Sequence, residues 1–262
     1  IEKITGFNAG NNAGSSYFQV NQRSGWRWNT AKAFLRPTKG RPNLRIETEA
    51  QVMRLTVAEG RVNALELSLH GQPSGVRCAG EVVLAAGAIG SPQILQCSGI
   101  GPGGLLQQNS VDVVHEAPNV GQNLQDHLQL RCIYKVHGVK TLNESSASLW
   151  GKAKIALEYA LKRSGPMSMA PSQLGAFSKS RPDLATADLE YHVQPLSLEA
   201  FGQPLHDYPA LTASVCNLRP ESRGEVVITG PDPAAHPTPS FTSDVRGTSR
   251  GRVRDVTISR VR

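Results

Sequence analysis

Residues 82–101 read VVLAAGAIGSPQILQCSGIG, and the rest of the 262-residue chain is best read outward from them. Val82–Ala85 lacks the polar alternation of a half-exposed strand, so it predicts a strand covered on both faces. Gly87 and Gly90 then let the backbone turn sharply and lie close to a ligand, where a side chain would obstruct it. Ser91 reads as an N-cap with Pro92 in the first helical position, which predicts a short helix over Pro92–Cys97. Strand, glycine turn and helix N-terminus in succession make one half of a mononucleotide-binding unit, whose free amides favour an anionic group. On the residues alone, a tight βα turn with no ligand is an equally good reading.

Upstream, the Gly- and Asn-rich residues 8–16 read as loop and Tyr17–Gln22 as a short strand. Thr30 is placed to cap a helix over Ala31–Leu35 that Pro37 stops. Leu44–Thr48, Val52–Val57 and Val62–Leu69 are β-branched runs parted by turn residues, a meander that returns into Val82–Ala85. Downstream, Val111–His115 predicts a brief strand and residues 119–127 (NVGQNLQDH) a polar loop. From residue 128 the texture changes. Ser148–Arg163 carries Leu149, Ala153, Ala156, Leu157, Ala160 and Leu161 at helical spacing, and Gly165-Pro166 closes it. Leu128–Val136, Leu189–Pro195, Ala210–Leu218 and Gly224–Thr229 predict strands. The fold class expected is α/β plus α+β: part of a doubly wound domain, then an antiparallel sheet with one helix.

Composition narrows the function. Hydrophobic residues are 39% of the chain and charged residues 19%, a globular balance, and no apolar run reaches the length of a membrane span. The net charge is +7, partly from six arginines against two aspartates in residues 241–262. With 5% aromatic residues, no basic stripe is interleaved with stacking platforms, so nucleic acid is not an expected partner. Cys78, Cys97, Cys132 and Cys216 form no C-x-x-C, and the seven histidines show no metal-ligand spacing, so no metal site is expected. Buried free thiols fit a reducing compartment. The chain opens IEKITGFNAG, without a signal-peptide pattern. A cytoplasmic or membrane-peripheral location is expected.

The fifteen residues 87–101 match, without a gap, a signature that resembles the second signature of the glucose–methanol–choline oxidoreductase family. Ser16–Asn21, Arg27–Pro37, Arg41–Leu44 and Gly121–His127 are similar to family segments in the same order. Trp150–Lys152, Gly165–Met167, Ala170–Gly175 and Gln194–Ser197 resemble its choline-dehydrogenase-like branch. The resemblance spans roughly residues 5–230. It implies FAD as cofactor and oxidation of a small alcohol to a carbonyl by hydride transfer to the flavin, with the protein supplying orientation and electrostatics.

Carried over residue by residue, the resemblance implies cofactor contacts at three positions. Val52 corresponds to a valine whose backbone meets the adenine, and Ala86 and Gly87 to close-approach positions near the adenosine. Without the family, Val52 is an ordinary strand residue. No catalytic residue is expected within the chain. No G-x-G-x-x-G turn stands at a first strand–helix junction to hold the pyrophosphate, the string at Gly99–Gly104 following the predicted helix instead, and no histidine-bearing block like the family's C-terminal one is present. The chain therefore reads as the interior of a longer enzyme, with both domains incomplete. Residues 1–25 are expected to be a substrate-domain segment, 26–127 part of the FAD-binding domain, and 128–262 the substrate-binding domain with a non-native or disordered end. A non-catalytic α/β remnant or binding module is the alternative. Asp126-His127 reads as structural, and His192 and His206 as structural histidines with nothing evident in sequence to orient either as a base.

Overall fold

The computed structural model describes residues 1–200 and 202–241. Their contacts divide the chain into two compact units. One comprises Ile1–Arg41 and His127–Arg219, the other Pro42–Asp126 and the segment from Pro220. The Arg-rich end read from the sequence lies, from residue 242, outside the described residues.

The first unit is built on a five-stranded antiparallel sheet. Its order is Gly14–Tyr17, Leu174–Ser178, Leu189–Gln194, Ala210–Asn217, Gln129–Lys135. Ala210–Asn217 has strands on both sides and shows the period of two most plainly: Ala210, Thr212, Ser214 and Cys216 are buried and the residues between them are not. The buried face is small and polar, so its hydroxyls need partners, and Thr212 Oγ1 donates to the Leu196 carbonyl at 2.9 Å. Where Gly175 pairs with His192, a Cβ on the glycine would collide with the Phe18 ring, which stacks on His192 at 5.0 Å.

The sheet's helix spans Leu149–Lys162, with Ser148 as N-cap accepting from Gly151 N at 3.0 Å. Arg163 ends it in the left-handed conformation and lies over the Trp26 and Tyr159 rings at 4.5 and 5.2 Å. Tyr159 donates its hydroxyl hydrogen to the Gly25 carbonyl at 3.0 Å, which fixes the helix against the Gln22–Arg27 hairpin. The face turned inward is therefore the one bearing Ile155 and Tyr159. Leu149, Leu157 and Leu161, which the spacing marked as core, point to solvent.

In the second unit Ala50–Ala58, Arg61–Leu69 and Gln72–Arg77 form an antiparallel meander with Ala50–Ala58 at its edge. Gly71–Gly75, expected as turn, lies mostly within its third strand, Gln72–Arg77. Val82–Ala85, by contrast, joins no ladder: a strand exists only beside a partner, and no described strand pairs with this one. Parallel pairing among the described residues is limited to Ile100–Gly101 with His115–Glu116 and an isolated bridge of Lys3 with Ser15. What stands is a mixed α/β chain with antiparallel sheets; the doubly wound sheet is not assembled in the described residues.

The helix after this segment spans Gly87–Cys97, five residues earlier than its proline and serine predicted. Gly87 has φ +81°, which swings the chain into the helix with Ala86 as N-cap. Pro92 sits inside, in the second turn, where it has no N–H to give the Ala88 carbonyl. Behind the helix lies a core of Cys97, Leu106, Val111 and Ile228. The strand Gly224–Val227 pairs with Thr238–Phe241 and packs on this helix. Residues 220–241, expected in the substrate domain, make their contacts with the second unit.

Three smaller elements also differ. Residues 31–38 form a π-turn running into a short α-turn that contains Pro37, and Asn29 rather than Thr30 accepts from the Lys32 amide at 3.0 Å. Leu44–Thr48 forms no strand, and the strand at Tyr17 ends there rather than beginning.

Candidate cofactor site

The glycine motif sorts into positions of two kinds. At Gly99 (φ +79°) an added Cβ would collide with the Asp112 carbonyl oxygen and lie 2.8 Å from Val114 Cγ2, so this glycine is required by packing of the chain on itself. At Gly87 (φ +81°) a Cβ would meet nothing within 4 Å. Gly87 thus needs its backbone freedom but borders open space, which leaves room for a ligand to approach the main chain.

Ala86 and Gly87 are both exposed at the N-terminus of the Gly87–Cys97 helix, which no side chain caps. The first amides of that helix have no intrahelical acceptor, and its dipole places partial positive charge there. Val52 lies half-buried on the edge strand Ala50–Ala58, paired with Leu67 beside an irregularity between Val52 and Arg54. An edge strand turns alternate N–H and C=O groups away from its one partner, which is what main-chain recognition of a purine needs. The helix packs on this strand, and the Leu55 amide donates to Ser98 Oγ at 2.8 Å. Val52, Ala86 and Gly87 therefore belong to two elements in direct contact.

Gln96 supports the same helix from behind. It is fully buried within an otherwise apolar turn, and its carboxamide donates to the Val226 carbonyl and accepts from the Ile228 amide, each at 2.9 Å. Gln93 reaches the Pro233 and Ala235 carbonyls at 3.1 and 2.7 Å. Neither role is visible in sequence, because both partners lie more than a hundred residues away.

The remaining reactive groups have structural settings. Burial pushes the Cys97 thiol above its ordinary pKa, against an opposing effect of the Arg54 guanidinium, which keeps it a neutral packing group. All four cysteines are unpaired; Cys97 and Cys216 are buried and the other two half-buried. His192 and His206 do have partners. His192 Nε2 lies 3.2 Å from Glu190 Oε1, a pair that the i, i+2 spacing on one strand face could have disclosed. His206 Nδ1 lies 3.0 Å from Ser197 Oγ and its Nε2 3.7 Å from Glu199 Oε2. That sequence of groups has the form of an activated serine, but Ser197 is completely buried and its Oγ also accepts from Asn143 Nδ2 at 3.1 Å. A substrate cannot reach it. The boundary between the two units falls between Asp126 and His127.

Residues 3–129 match the model of the GMC oxidoreductases. The chain is 30% identical over 243 residues to an alcohol dehydrogenase [acceptor] of Pseudomonas putida, covering 91% of this chain and 44% of that protein. It is 36% identical over 221 residues to an oxygen-dependent choline dehydrogenase of Serratia proteamaculans, covering 83% and 39%. The crystal structure of pyridoxine 4-oxidase from Mesorbium loti superposes with a TM-score of 0.74 at 26% identity, covering 90% of this chain and 43% of that one. The chain spans less than half the length of each. Through this match and these relatives, the chain belongs to the GMC oxidoreductase family.

Proposed function

We propose that this chain supplies the adenosine-side cradle of an FAD-dependent oxidoreductase that oxidises a small alcohol to a carbonyl compound. FAD is the cofactor of the family, and when bound it supplies the acceptor for a hydride. The observation that carries the proposal is Gly87: a positive-φ residue with open space over its Cα, at an uncapped helix N-terminus. A dinucleotide can lie against that backbone, which a β-carbon would cover. The edge of Ala50–Ala58 at Val52 offers main-chain hydrogen bonds to the adenine, and the amides of the Gly87–Cys97 helix face a polar or anionic group. These residues bind and orient; none is placed to take a proton from the alcohol. Similarity to choline and alcohol dehydrogenases supports the reaction class, and family membership favours an enzyme over a binding module.

The test is titration of the purified chain with FAD and, separately, with ADP. Without a G-x-G-x-x-G turn at a first strand–helix junction the chain should purify with little flavin, yet added FAD should bind reversibly and ADP should displace it, because the site reads the adenosine half. A chain that binds neither compound, or binds FAD only through groups with which ADP does not compete, overturns the proposal.

A further inference from the structure

We infer that the outward face of the Leu149–Lys162 helix is a contact surface for an anionic lipid bilayer. A surface helix ordinarily turns its apolar stripe to the core. Here Leu149, Trp150, Leu157 and Leu161 are 85%, 86%, 59% and 74% exposed. At about 100° per residue they merge with the alanines at 153, 156 and 160 into an arc roughly 140° wide that holds no charge. The arc cannot rotate inward, because the opposite face is pinned by the Tyr159–Gly25 hydrogen bond and by Arg163 over Trp26.

Charge selects the occupant. Lys152 and Lys154, both exposed, border the arc on its two sides, and exposed Lys162 follows at the end of the helix. The helix has one acidic residue, Glu158, and it lies on the inner side, where its carboxylate accepts from Ser164 Oγ at 3.3 Å. Tryptophan and leucine outward with lysines along the flanks is the pattern of a helix lying in a membrane interface, apolar groups among the acyl chains and ammonium groups at the phosphates. A second copy fits less well, since apposing two such faces brings lysines together. At 14 residues the helix is about 21 Å long, and no helix of the described residues is long and apolar enough to cross a membrane, so contact is along the surface.

The test is co-flotation of the full chain with vesicles of phosphatidylcholine alone or with phosphatidylglycerol added. Binding is expected to the anionic vesicles, to fall as salt is raised, and to weaken by about tenfold or more in Leu157→Glu, a loss larger than one lysine's worth of surface attraction. Val83→Glu, which alters a 79%-exposed apolar residue of the other unit, should leave it unchanged, with circular dichroism confirming that both variants fold. Equal binding by Leu157→Glu, or equal binding to neutral vesicles, overturns the assignment. So does a self-associated chain that Leu157→Glu dissociates without any vesicle binding by the parent, which would give the face to a second copy.

Discussion

Gln96 and Ile228 are 132 residues apart, and the Gln96 carboxamide oxygen accepts the Ile228 amide hydrogen at 2.9 Å inside the core of the second unit. The same side chain donates to Val226 and, at 3.3 Å, to Val120. One wholly buried amide thus ties the Gly87–Cys97 helix to the strand entering from Pro220 and to the loop at residue 120. Gln96→Leu keeps the volume but leaves the Ile228 amide and the Val226 carbonyl unpaired. Each orphan costs about 1–3 kcal/mol, so a loss of roughly 2–6 kcal/mol is expected. Urea unfolding should show a lower midpoint at unchanged slope. A loss under about 0.5 kcal/mol would mean that water replaces the carboxamide.

How much of this could be read beforehand depends on the distance over which each contact acts. The helix near Ser148–Arg163 and the strand near Ala210–Leu218 were legible, because periodicity and strand propensity are local. The glycine motif was legible as a motif. Its helix start was not, because a positive-φ glycine and a serine–proline pair both announce an N-terminus and the glycine won. Val82–Ala85 carries a strong strand pattern, but pairing depends on a second strand that its own residues do not encode. The outward turn of Leu157 and Leu161 was invisible for a similar reason: two faces of that helix can pack, and Tyr159 meeting Gly25 decides between them.

The two positive-φ glycines of the motif should respond differently. Gly99→Ala adds left-handed strain and drives a Cβ into the Asp112 carbonyl, together costing roughly 2–5 kcal/mol. Gly87→Ala meets no atom, so only the strain of about 1–2 kcal/mol remains. Equal losses in the two variants, measured by urea unfolding, would show that space plays no part in the choice of glycine.

Gly87→Val probes the cofactor proposal. Its branched side chain would occupy the space over the helix N-terminus, and a cost of about 1–3 kcal/mol in the bound state weakens FAD affinity roughly 5- to 150-fold. Titration must be confined to protein shown by circular dichroism to be folded. Unchanged affinity in that fraction would make residues 87–101 scaffold only.

Asp188 gives the first unit an acid-sensitive corner. The Ser180 hydroxyl at 2.5 Å and the Ser180 amide at 2.7 Å both donate to its carboxylate, holding its pKa below the ordinary aspartate value. A depressed folded-state pKa stabilises above the unfolded value, and that contribution disappears as pH falls through the folded one. Ser180→Ala should therefore raise the Asp188 pKa, as followed by NMR, and move the onset of acid fraying at this turn to higher pH. An unshifted carboxylate resonance would show that Ser180 is not its principal donor.

Ser197 and His206 provide the last prediction, a negative one with chemical content. The Oγ–Nδ1 separation of 3.0 Å, with Glu199 beyond the ring, would suit an activated nucleophile if geometry alone sufficed. Access is the missing condition. Ser197 has no exposed surface, and Asn143 encloses it: Nδ2 donates to the Ser197 carbonyl and Oγ at 3.1 Å, while Oδ1 accepts the Ser197 amide at 2.9 Å. A fluorophosphonate should therefore leave the folded chain unlabelled. Asn143→Ala should cost about 1–3 kcal/mol, because it leaves the buried Ser197 amide without a partner, while the Ser197 carbonyl keeps the His206 amide at 3.1 Å. Ser197→Ala should cost less, about 1 kcal/mol, since it removes a hydroxyl while the Asn143 bonds to backbone survive. Covalent labelling of Ser197 in the folded parent would overturn the structural reading of this cluster, as would a Ser197→Ala loss larger than that of Asn143→Ala.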